Sequence, residues 1–172
     1  MRIITTPMCE EIVRLAGIED YVVNKNPDEE EGDLAILLSE SKVSMDSLPI
    51  KLNTSKQVFE SIKKVSKYSS KELSDEEISS FFDEYELSKK YLNNDVDCGI
   101  NVKVYSMFLK DIVEDVGFNI VENNPDYVVY PDYLKNKVVD NDNLVEIPTH
   151  SSASKNPFER IELKYSILEK LI

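Results

Sequence analysis

The chain has 172 residues, 41% hydrophobic and 31% charged, with 33 acidic against 20 basic side chains and a formal net charge of −13. That length and composition predict one α/β domain over 1–172 with a core of its own, not a disordered chain. A surface this negative disfavours nucleic-acid backbones and anionic membranes, whose binding draws on Lys and Arg.

No stretch approaches the roughly 20 apolar residues of a membrane-spanning helix. The first residues carry no apolar segment or cleavage site of a signal peptide, so the expected location is the cytoplasm. Two cysteines, Cys9 and Cys98, do not make a disulfide framework. With one histidine, His150, they fall short of four zinc ligands, and no metal site is expected.

In chain order, residues 2–5 read as a strand. Residues 8–16 read as a helix, with Met8, Ile12, Leu15 and Ala16 on its apolar face. Thr6 fits its N-cap, Pro7 its first position and Gly17 its closing cap. A short strand is expected at 21–23, then an acidic, turn-rich loop at 24–32. The five apolar residues 34–38 predict a buried strand that ends in Ser39-Glu40-Ser41. Residues 48–52 alternate like another strand.

Capping-box patterns at 54–57 and 74–77 open helices expected to reach about 68 and 92. Residues 93–99 read as a loop and 104–116 as a helix closed by Gly117. Strands are expected at 118–121, 127–130 and 144–147. A Ser-rich loop follows at 149–155, and Asn156-Pro157 opens a last helix. Alternating strands and helices without internal repeats predict a mostly parallel central sheet flanked by helices.

The first strand–helix junction is the most informative segment. With Thr6 as N-cap, Cys9 occupies the third helical position, outside the carboxyl end of the strand, where open α/β sheets bind ligands. First-turn N–H groups and the helix dipole favour a thiolate and a developing oxyanion there. Thr5, Thr6 and Met8 lie beside it. Glu10 and Glu11 act in the opposite sense, because nearby negative charge raises a thiol's pKa. The residues leave two roles open for Cys9: a covalent nucleophile or a small core residue.

The opening Met1-Arg2-Ile3-Ile4-Thr5-Thr6-Pro7-Met8-Cys9-Glu10-Glu11 resembles the HcgF family. That family serves biosynthesis of the iron-guanylylpyridinol cofactor of [Fe]-hydrogenase in methanogenic archaea. The resemblance implies that the chain binds guanylylpyridinol and joins its carboxyl group to Cys9 as a thioester. It also implies a ThiF-like partner, HcgE, that first activates the carboxylate with ATP. The thioester would keep the acyl group reactive for later iron-acyl formation. No other tightly bound cofactor is implied.

Other segments offer polar groups. Thr149, His150, Ser151 and Ser152 follow a strand and precede a helix, so they fit either a phosphate cradle or a solvated loop. Ser39, Glu40 and Ser41 stand at a strand end that can line the same mouth. Asp28 to Glu31 read as a solvated charge run, and Asp140 to Asn143 as a turn lacking the Gly and Glu of a calcium loop.

Two other readings compete with the thioester protein. The segment from Pro7 to Val23 is also similar to one lobe of metal-chelate binding proteins, which have two lobes; this length is expected to provide one. A noncatalytic small-ligand binding module is therefore the alternative. An interaction subunit docking through residues 54–92 is the third. Any self-assembly is expected to be a symmetric homodimer, the commonest kind.

Overall fold

The computed structural model describes residues 1–139, 142–149 and 154–172. The chain divides into two compact units, one of residues 1–84 and 155–158, the other of 85–154 and 159–172. Each has its own four-stranded, fully parallel sheet flanked by helices. The α/β class and parallel pairing agree with the alternating pattern of the sequence. One central sheet does not: the strands are shared equally between two.

The first unit contains β1 (Ile3–Thr5), α1 (Glu10–Leu15), β2 (Tyr21–Val23), β3 (Leu34–Leu38), β4 (Ser47–Ile50), α2 (Ser55–Ser66) and α3 (Asp75–Ser80). Strand order is β2-β1-β3-β4. The central strands β1 and β3 are the apolar runs Ile-Ile-Thr and Leu-Ala-Ile-Leu-Leu, as burial on both faces requires. Thr54 caps α2 by accepting from the Gln57 N–H at 3.2 Å, and Gln57 Oε1 accepts from the Asn53 N–H at 2.9 Å. Ser74 and Glu77 form the complete reciprocal box at the start of α3.

The second unit contains α4 (Glu86–Tyr91), β5 (Asn101–Val104), α5 (Met107–Val116), β6 (Asn119–Ile120), β7 (Tyr127–Pro131), β8 (Leu144–Ile147) and most of α6 (Pro157–Glu169). Its order is β6-β5-β7-β8. Relabelled from its own first strand, this is the order of the first sheet. Gly117 ends α5 at φ 101°, in the left-handed region, and a Cβ there would lie 1.8 Å from the Val96 carbonyl oxygen. Only glycine meets both demands.

Several local expectations are corrected. The helix expected from residue 8 begins at Glu10, with Cys9 rather than Thr6 at its cap. Residues 6–9 form a turn closed by the Cys9 N–H donating to the Thr6 carbonyl at 3.0 Å. The helix expected over 74–92 is two, α3 and α4, because Tyr85 leaves the helical region at φ −119°, ψ 88°. Residues 101–103, given no element from sequence, and Val104, read as the start of a helix, form the central strand β5, where Val102 and Val104 favour the pleat. Among the described residues no helix is long and apolar enough to cross a membrane.

Candidate functional site

All four strands of the first sheet are parallel, so their carboxyl ends share one edge. The chain leaves β1 through α1 to β2 on one side and later crosses to β3 on the other. The edge between β1 and β3 is therefore a topological switch point, where open α/β sheets leave a crevice. A cleft of about 340 Å³ opens at this edge, lined by Thr6 after β1, Lys25, Asn26 and Asp28 after β2, and Ser41 and Lys42 after β3.

The loop after β2 is held by its own side chains. The Asn24 N–H donates to the Thr5 carbonyl at 2.9 Å, and Asn24 Oδ1 accepts from the Asn26 N–H at 2.8 Å. Asp28 accepts from both the N–H and the hydroxyl of Ser44, each at 2.8 Å. Those bonds, the backbone one first, hold its carboxyl below the ordinary value, so Asp28 stays ionised at neutral pH. Lys25 and Lys42 are exposed. The cleft thus presents two ammonium groups, one tied carboxylate, an amide and hydroxyls. That set suits a polar ligand bearing negative charge.

Of the residues named from sequence, Thr6 and Ser41 line this cleft, with Asp28 of the acidic run. Cys9 has 0% exposure. It shares a face of α1 with Ile12, Val13 and Ala16, all equally buried, while Met8 and Leu15 are only half-buried. The buried face lies about one position from the one read in the sequence. Thr5 is buried, and its hydroxyl donates to the Ile36 carbonyl at 2.9 Å, bracing β1 against β3. Ser39 is exposed; its N–H donates to the Ile50 carbonyl and its hydroxyl to Glu40.

Thr149 belongs to the second unit, where its N–H and hydroxyl both donate to the Asp132 carboxylate. His150, Ser151 and Ser152 lie outside the described residues, so the phosphate cradle expected there is not described. Asp140 and Asn141 of the expected turn lie outside them too.

The carboxylates next to Cys9 are engaged elsewhere. Arg14 pairs with Glu11, whose hydrogen bond and charge push the guanidinium further up. Glu10 accepts weakly from the Tyr21 hydroxyl at 3.4 Å. Among the described residues no group of three or more His, Cys, Asp or Glu side chains is placed to hold a metal ion.

Lys25, Asn26 and Lys42 were not singled out in the sequence. The available signal was position: each follows a strand that pairs on one side or the other of the switch point.

No family model and no curated protein matches this sequence. Among solved structures, the chain is similar to the periplasmic vitamin B12 binding protein BtuF of Vibrio cholerae. The TM-score is 0.53 at 13% identity, over 99% of this chain and 94% of that one. The likeness is one of fold. Two compact α/β units are present, and the match runs through both.

Proposed function

We propose that this chain binds a small, negatively charged ligand in the cleft at the carboxyl edge of its first sheet. The observation that carries the reading is the coincidence of that cleft with the topological switch point. Lys25 and Lys42 supply positive charge on an otherwise acidic chain, and Thr6, Asn26 and Ser41 supply hydrogen bonds. BtuF binds vitamin B12 on a similar fold, which supports ligand binding by analogy only. We place the protein in the cytoplasm, where its two cysteines stay reduced, as a homodimer without a tightly bound cofactor.

The more specific reading makes the ligand guanylylpyridinol and Cys9 its covalent acceptor. It rests on the resemblance of residues 1–11, and the placement of Cys9 at the head of α1, one turn beyond β1, favours it. A ThiF-like partner with ATP would supply the acyl-adenylate. The Cys9 sulfur attacks the carbonyl carbon, a C–S bond forms, the C–O bond to AMP breaks, and the thiol proton passes to solvent. Because the thiol is fully buried, this reading requires the turn at 6–9 to open before attack.

Intact-protein mass spectrometry with guanylylpyridinol, ATP and the partner tests it. A mass gain of ligand minus water, removed by hydroxylamine and absent in Cys9→Ala, is the expected result for the thioester. Noncovalent binding that survives Cys9→Ser without any adduct leaves the binding module alone. Noncovalent binding that is unchanged in the double variant Lys25→Ala/Lys42→Ala overturns the cleft as the site.

A further inference from the structure

Lys164, on α6, is 9% exposed, and Arg160, one turn earlier, is 7% exposed. Both belong to the second unit. The Lys164 ammonium lies 5.2 Å from the centre of the Phe108 ring, the second residue of α5. Among the described residues Lys164 makes no hydrogen bond and no ion pair. Arg160 donates to the Ser154 carbonyl at 3.2 Å. A buried cation without an anion is expensive in any protein. It is more unexpected here, where acidic residues outnumber basic ones by 33 to 20.

The element that Lys164 approaches is also uncompensated. Helix α5 has ten residues, enough for a developed dipole. Its N-cap, Ser106, makes no side-chain cap bond, and its first turn contains no acidic residue. The buried ammonium thus stands against the ring of a first-turn residue of α5, the helix that follows the carboxyl end of β5, a central strand of the second sheet. Strand and helix order match those of the first unit, where the candidate cleft follows β1 in the same way.

We propose that the second unit holds an oxyanion, a phosphate or carboxylate group of a small molecule, between Lys164 and the N-terminus of α5. Lys164 supplies charge, the free N–H groups of the first turn supply directed hydrogen bonds, and Arg160 reinforces the field. The site is independent of the cleft in the first unit and of Cys9.

The test titrates the full chain with inorganic phosphate and, separately, with acetate, each against chloride at equal ionic strength. Melting temperature and the amide NMR shifts of residues 106–109 are the two readouts. At least one oxyanion is expected to raise the melting temperature and move those amides. Phosphate alone marks a phosphoryl site, and acetate alone a carboxylate site.

Lys164→Met, which keeps the length and removes the charge, is expected to weaken the response at least about tenfold, the loss of one charge-assisted contact. Without ligand it is expected to melt no lower than the wild type. No response to either anion in the wild type, or an equal response in Lys164→Met, overturns the proposal. Should that variant fail to fold, the wild-type amides at 106–109 decide the matter alone.

Discussion

Cys9 and Lys164 are both buried, with very different energetic consequences. A thiol behaves as a small apolar group and loses little when removed from water. An ammonium loses its hydration. Burial, with repulsion from Arg160 added, pushes Lys164 down to about 8 from 10.5. Between those values the unfolded chain binds a proton that the folded chain has released, so stability rises with pH. The gain expected from about pH 8 to 10 is up to about 3 kcal/mol.

Above that window the effect reverses. Burial, then Glu10, raises the Tyr21 phenol; burial, then the hydrogen bond to Glu169, raises that of Tyr91. Both phenols lose their protons more readily once unfolded. Urea unfolding across this range checks the sign: the wild type gains stability, Lys164→Met stays flat, and an equal gain in both assigns the slope to other groups. In the sequence Cys9 stood out for its position, and its burial was legible too. Cys9, Ile12, Val13 and Ala16 are spaced as one helical face, but the more hydrophobic Met8 and Leu15 drew the reading one position away. Nothing local marked Lys164, because its environment is assembled from α5 and α6, far apart in the chain.

Among the elements, α4 shows why boundaries within the helical middle were hard to read. Its N-cap, Tyr85, makes no side-chain cap bond. The first turn is capped instead by Glu162 of α6, whose carboxylate accepts from the Leu87 N–H at 3.0 Å, the Ser88 N–H at 2.8 Å and the Ser88 hydroxyl at 2.6 Å. A cap from 74 residues away leaves no trace in the local pattern. The boxes at Thr54 and Ser74, made by neighbours, were legible for the opposite reason.

Glu162→Ala is expected to destabilise the chain by about 2 kcal/mol, since three donors lose one partner. Glu162→Gln, which keeps an acceptor, should lose less. Urea denaturation of both variants checks this, and equal stability of Glu162→Ala and the wild type would remove the cap from the account. Strand β5 was missed because its four residues lie between a glycine turn and a helix; pairing with β6 and β7 fixes it as a strand.

At the scale of the molecule, alternation made the parallel α/β class legible. The number of sheets was not, because strand order is set by contacts distant in sequence. Equal strand orders in the two units show a repeat of topology where the sequence shows none. The first unit also depends on residues remote from its main segment. Phe158 packs edge-to-face on the fully buried Phe82, with ring centres 4.9 Å apart. Phe158→Ala is expected to cost about 3–5 kcal/mol, the usual range for a buried aromatic. It should also lower the hydrogen-exchange protection of α3. A loss below about 1 kcal/mol would mean that Phe82 repacks without it.

That returning segment bears on how the protein is made. The ribosome delivers residues in order, so nearly all of the first unit has emerged long before Phe158 exists to cover Phe82. Helix α4 likewise waits for Glu162. Both units therefore receive their finishing contacts from α6 after most of their own residues have been made, and the nascent chain carries an unsheltered aromatic while the residues between Phe82 and Phe158 are added. Chaperones that recognise exposed aromatic side chains would have their longest opportunity around residue 82, and premature termination before residue 157 would leave neither unit complete.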